Sequence, residues 1–157
     1  MKRYLILVLM NIFLGAFCYA QNSISISSVS GVPGSEVEVA VILENKDAIT
    51  AVEVQIPLPG KQLRYVEGSA VLNAERSNGH QYSAAVVDGT LRLYAYSLSL
   101  ASLQGNTGRL FTFKLLIGRE PGVYTLLPNV VLSNATGQAL TVNAELATAT
   151  VLAPKID

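Results

Sequence analysis

Cysteine, histidine and tryptophan are almost missing from this chain: it has one cysteine, one histidine and no tryptophan. Each gap closes a route to function. A lone Cys18 can form no intrachain disulfide. One cysteine and one histidine fall short of the ligands a zinc site needs. His80 is the only imidazole, so a serine–histidine–carboxylate triad would have to be built on it. It lies in Ser77-Asn78-Gly79-His80-Gln81, a turn ahead of a strand, and reads as a surface residue. Tryptophan, the commonest sugar-stacking side chain, is absent. Charge is also scarce, at 14% of residues with a formal net charge of zero. That leaves no basic field for nucleic acid. The carboxylates are scattered: Glu36 and Glu38 share one strand face that reads as solvated, and no pair looks placed for glycoside hydrolysis. The chain is therefore expected not to be an enzyme.

Beyond its first 20 residues the sequence has no apolar run long enough to span a membrane. The start itself reads as a secretory leader. Lys2 and Arg3 form a basic head, Leu5 to Phe17 is nearly all apolar, and Cys18-Tyr19-Ala20 puts small residues where signal peptidase needs them. Cleavage is expected between Ala20 and Gln21. Phe17 is too large to precede a lipidated cysteine, which argues against an anchor on Cys18. The expected organisation is a signal peptide over 1–20, one domain over 21–152, and a tail or linker start over 153–157. Without Lys2 and Arg3, the balance of 11 basic and 11 acidic residues tips to two net negative charges. The export route ends in the periplasm, at the cell surface or outside the cell. A domain that has lost its only cysteine there must be held by packing alone.

What the domain does have is alternation. Short runs of β-branched residues recur with turn residues between them every 8–12 positions, and amphipathic helical spacing is lacking. Ser23–Val29, Glu36–Leu43, Ile49–Leu58, Leu63–Val66, Ala70–Leu72 and Arg109–Ile117 all read as strands, the last as a central one. Two further runs are broken at Pro128, and Leu140–Leu152 supplies the last. The clearest unit is a hairpin. Tyr82–Val87 and Thr90–Tyr96 meet at Asp88-Gly89, a pair suited to a two-residue type I′ turn. Leu91, Leu93 and Ala95 point to one side, while Arg92, Tyr94 and Tyr96 point to the other. The loop Ser97–Gly108 is expected to fold back on the core edge through Leu98, Leu100 and Leu103, with Leu110 just beyond. The pattern predicts an all-β protein: a two-sheet antiparallel β-sandwich of jelly-roll type with about nine strands.

The order of these segments resembles a cohesin domain, of the kind found on Bacteroides-type exported proteins. The turn and strand Ser30-Gly31-Val32-Pro33-Gly34-Ser35-Glu36-Val37-Glu38-Val39 resembles the cohesin start. Ile49-Thr50-Ala51-Val52-Glu53-Val54-Gln55-Ile56 resembles the third cohesin strand, and Leu63-Arg64-Tyr65-Val66-Glu67-Gly68 the segment after it. Gly105-Asn106-Thr107-Gly108-Arg109-Leu110-Phe111-Thr112-Phe113-Lys114-Leu115 is similar to the strand that follows the long cohesin loop. The similarity continues through Gly122-Val123-Tyr124 and Asn129-Val130-Val131-Leu132-Ser133. The resemblance implies a nine-stranded jelly roll without catalysis that holds a dockerin on one sheet face, in a fold shared with carbohydrate-binding modules. It also implies that the Asn-x-Asp pair of cellulosomal cohesins falls here on Ala51 and Glu53, so that only the acidic partner is kept.

The expected partner-binding residues are Glu53, Gln55, Arg92, Tyr94 and Tyr96, with Tyr82 and Ala84 as an alternative neighbouring pair. Tyrosine and arginine suit a protein interface. The expected partner is a protein, such as a dockerin-bearing one, with polysaccharide binding as the alternative. No cofactor is expected. The one set of oxygens whose spacing would suit calcium is Glu44, Asn45 and Asp47 with a carbonyl.

Overall fold

The computed structural model describes residues 21–155. Residues 1–20, including Cys18 and Ala20 of the expected cleavage bond, lie outside the described residues, as do the last two of the tail. In chain order the strands are β1 (Asn22–Ile26), β2 (Val29–Gly31), β3 (Glu36–Glu44), β4 (Ala51–Pro57) and β5 (Leu63–Tyr65). There follow β6 (Val71–Leu72), β7 (Gln81–Val87), β8 (Thr90–Tyr96), β9 (Arg109–Ile117) and β10 (Gly122–Leu126). The chain closes with β11 (Asn129–Ser133), β12 (Ala139–Leu140), β13 (Val142–Ala144) and β14 (Ala147–Val151). A 3-10 turn, Gly60–Gln62, joins β4 to β5.

One layer is the six-stranded sheet β13-β1-β3-β9-β5, with β6 also on β9. The other is the five-stranded sheet β12-β11-β4-β8-β7. The three-stranded sheet β10-β14-β2 continues from the first layer through the β1–β2 path, and the turn after β2 is bonded to β9: Gly34 N donates to the Ile117 carbonyl and Ile117 N to the Ser35 carbonyl (2.9 Å each). The core follows from the alternation. Ile24, Val39, Val41, Leu43, Phe111, Phe113 and Leu115 face inward from the first layer, and Val52, Val54, Ile56, Leu91, Leu93 and Leu132 from the second. All belong to one buried cluster. Each such side chain stabilises the fold by about 1.5–3 kcal/mol relative to exposure. As expected, β9 is central, between β3 and the short pair β5 and β6.

The 14 strands of the described residues exceed the expected nine or so, because polar residues cut long paths into pieces. Ser27 breaks the first path: its N–H and Oγ both engage Ala40 (2.9 and 2.8 Å). Ser28 Oγ then accepts from Thr148 N (3.2 Å), so that β1 pairs with β13 while β2 pairs with β14. Pro128 ends β10 in one layer, and the chain re-enters the other as β11. Lacking an N–H, proline suits such a crossing.

Asp88 (φ 50°) and Gly89 (φ 75°) both take the left-handed conformation that a type I′ turn demands. Gly118 is constrained by space instead. A Cβ there would stand 2.5 Å from the Lys61 carbonyl oxygen and 2.7 Å from Gln62 Cα. Backbone cannot yield as a side-chain tip can, so Gly118→Ala is expected to cost about 1–3 kcal/mol. Urea denaturation checks this, and an unchanged midpoint would contradict the close approach.

Candidate functional site: the outer face of the five-stranded sheet

Because Val52, Val54 and Ile56 turn inward, Ala51, Glu53 and Gln55 must turn outward. The same holds for Arg92, Tyr94 and Tyr96 opposite buried Leu91, Leu93 and Ala95. Pairing then sets these residues in rows. Glu53 stands beside Tyr94 and Gln55 beside Arg92. Val131 of β11 adjoins Glu53, and Asn129 adjoins Gln55. On the far side, Ser83 of β7 adjoins Tyr94, Ala85 adjoins Arg92, and Gln81 adjoins Tyr96. All five expected partner-binding residues therefore share one face on two adjoining strands.

The alternative neighbours do not. Tyr82 and Ala84 pair with Ala95 and Leu93, so they belong to the inner side of β7. There the Tyr82 ring meets Phe111 edge-on at 6.3 Å. The two-residue turn decides this parity, since Val87 opposite Thr90 fixes every later pair. The residues that sequence reasoning missed on this face are Val131 and Asn129 on one flank and Gln81, Ser83 and Ala85 on the other. The alternation of β11 around buried Leu132 was the available signal for the first two.

Within the face the polar groups are ordered. Glu53 Oε1 accepts from Tyr94 OH (3.1 Å) and from Gln55 Nε2. Tyr96 OH donates to Gln81 Oε1 (3.0 Å). Both phenols are thus held, and Tyr96 and Val131 remain 40% and 49% exposed. Arg92 differs. Its Nε is covered and has no hydrogen-bond partner, and its guanidinium forms no hydrogen bond or ion pair among the described residues. Its neighbour across the strand, Gln55, donates to Glu53 instead.

Beyond Tyr96 the chain turns sharply. Ser97 Oγ accepts from Ala101 N (2.9 Å), and Leu100, in the left-handed region at φ 58°, donates to the Ser97 carbonyl (3.3 Å). That turn overturns part of the expected fold-back: Leu98 and Leu100 stand out in solvent at 79% and 61% exposure. Only Leu103 and Leu110 join the core. A bulky residue in this conformation is rare, and here it presents two leucines at the end of β8.

The same end of the sandwich, where Asn45 N donates to the Asn106 carbonyl (2.9 Å), holds the oxygens considered for calcium, and protein donors serve two of them. Asp47 Oδ2 accepts from Asn22 Nδ2 (2.8 Å), and Asn45 Oδ1 accepts from Arg76 Nη2. Arg76 is buried and also donates from Nη1 to the Leu43 carbonyl (3.0 Å). Burial pushes its guanidinium below the usual arginine range, and the Glu44 carboxylate pulls it part of the way back. Arg76 thus brings a buried positive charge to this loop. Arg76→Met keeps the stem but leaves the Leu43 carbonyl unsatisfied, and is expected to cost about 1–3 kcal/mol. A thermal unfolding curve unchanged from wild type would contradict that role.

His80 is not the surface residue expected from its turn. It is 8% exposed, and Nε2 donates to the Thr50 carbonyl (2.8 Å). It ties the entry of β7 to the start of β4, with no carboxylate as a hydrogen-bond partner. Among the described residues no group of three or more His, Cys, Asp or Glu side chains could hold a metal ion.

The two packed layers define a jelly-roll sandwich. Its fold is that of a cohesin domain. The CaCohA2 cohesin of Clostridium acetobutylicum, in its complex with CaDoc0917, superposes with a TM-score of 0.75 at 15% identity, over 83% of this chain and 99% of that one. A non-cellulosomal cohesin from the archaeon Archaeoglobus fulgidus gives 0.71 at 17% identity, over 85% and 93%. The cohesin of a type I cohesin–dockerin complex from Clostridium thermocellum gives 0.72 at 19% identity, over 85% and 100%. No family model matches the sequence, and no curated protein does.

Proposed function

We propose that this chain is a non-catalytic, exported protein-binding module that takes a dockerin-like partner on the outer face of the five-stranded sheet. The observation that carries this reading is Arg92. Arg76 is bonded to a carbonyl and an amide oxygen, and Arg109 lies 3.6 Å from Glu38. Arg92, half-buried at the centre of the face, has no such acceptor. A covered Nε–H without an acceptor is costly, and a partner carboxylate or carbonyl would relieve that cost. Around it stand held tyrosines, an exposed valine and, past the end of β8, two exposed leucines. Held tyrosines around an arginine are the residues that protein interfaces favour as anchors. The likeness to cohesins solved with dockerins supports the class of partner, while Ala51 in place of the Asn argues for a changed contact set.

The test is to pass exported dockerin-bearing proteins of the source organism, and separately a panel of polysaccharides, over the immobilised domain. Saturable retention of a dockerin-bearing protein is the expected result. Retention of a polysaccharide with no dockerin retained would overturn it in favour of carbohydrate binding.

A further inference from the structure

Strand β7 forms one edge of the five-stranded sheet. The hairpin dictates which of its backbone groups face outward. Residues flanking a two-residue turn form a hydrogen-bonded pair, and such pairs alternate along an antiparallel ladder. Val87 pairs with Thr90, so Val87, Ala85, Ser83 and Gln81 spend their N–H and C=O groups on β8. Those of Tyr82, Ala84 and Val86 point away from the sheet, and among the described residues none has a partner.

Exposed edges are normally blunted by charge, proline, a bulge or shortness. Gln81–Val87 has no charged residue and no proline, and its pairing with β8 runs without a register shift. It is seven residues long, whereas the edge strands β5, β12 and β13 have three, two and three. Its inward side chains are also uncovered, with Tyr82 45% and Val86 44% exposed. They border a side of the sandwich where β7 and β5 leave a cleft of about 290 Å³, lined by Leu63, Tyr65 and Val86 among others.

We infer that β7 pairs with β7 of a second copy of this chain, antiparallel, with the two-fold axis at Ala84. A second copy fits because the strand is complementary to itself. About that axis Ala84 meets Ala84, and Tyr82 meets Val86 twice, which joins an aromatic to a β-branched residue. Every outward donor and acceptor finds its counterpart, and no like charges meet. Each copy offers one such edge, so the assembly closes as a dimer. Opposed residues of antiparallel strands point to the same side, so the two Arg92–Tyr94–Tyr96 faces lie side by side on one continuous sheet. A divalent ligand would gain avidity from this.

Sedimentation over a range of concentrations, together with residue-resolved amide exchange, tests the inference. The mass should rise from one copy to two as concentration approaches ~1 mM. Over the same range the Tyr82, Ala84 and Val86 amides should slow by about tenfold or more, while Ser83 and Ala85 stay protected throughout. Val86→Lys places an ammonium opposite Tyr82 of the other copy at a site already half open to water. It should stay single-copy with Ser83 and Ala85 still protected, which shows that β7 remains folded. A single-copy wild type with three fast amides at ~1 mM would overturn the inference. So would a dimer that leaves those amides unchanged, or growth beyond two copies.

Discussion

Phe111→Ala should lower the stability of the domain by about 3–5 kcal/mol, the usual cost of emptying a fully enclosed phenyl site. Phe111 is 0% exposed near the start of β9. It is flanked by Val41 of β3 and Leu72 of β6, and the Tyr82 ring from the facing sheet lies against it. Rigid β9 has neighbours on both sides along its length, so the cavity cannot collapse easily. Single domains are stable by only about 5–15 kcal/mol. At ~1–3 kcal/mol per molar urea the midpoint should fall by roughly 2 M, and Tyr82 should become more mobile. Val71→Ala, at a side chain 51% exposed, is the control and should shift stability by no more than about 0.5 kcal/mol. A Phe111→Ala loss no larger than the control's would mean that the sheets are not joined through this ring.

The same physics explains what could be read from the chain. Alternation with a period of two is a local property, so the buried faces of β4 and β8 were legible from Val52, Val54 and Ile56 and from Leu91, Leu93 and Ala95. Asp88-Gly89 was legible for the same reason, since the dipeptide carries its own backbone demand. The grouping of Glu53 and Gln55 with Arg92, Tyr94 and Tyr96 followed once β4 and β8 were taken as neighbours. Pairings between distant segments were not legible. His80 looked like a turn residue because its acceptor, the Thr50 carbonyl, is 30 residues away. Arg76 gave no local sign of burial, because Leu43 and Asn45 reach it from another strand end. Hydrophobicity alone does not place Leu98 and Leu100. A serine-held turn, rather than transfer energy, sets their direction. Tyr82 differs from outward Gln81 and Ser83 by one residue of register, and in a strand one residue is enough to change faces.

The outer face owes its organisation to the core beneath it. Leu91, Leu93 and Ala95 lock β8, Glu53 and Gln81 lock the two phenols, and Arg92 is left without an acceptor. Preorganised aromatic anchors lose little freedom on binding. Binding should therefore depend steeply on Tyr94 and Tyr96 and weakly on residues of the opposite layer such as Lys114.

The most direct measurement is the affinity of the captured dockerin-bearing partner for wild-type domain and for the Tyr94→Ala/Tyr96→Ala double variant, by titration calorimetry. Central aromatic anchors are worth about 2 kcal/mol or more each. At ~1.4 kcal/mol per factor of ten, the double variant should bind roughly 100- to 1000-fold more weakly, with its unfolding free energy lowered by only ~1 kcal/mol. Lys114→Ala should bind as wild type does. Equal affinity of the double variant and wild type for the same partner would contradict the assignment of this face.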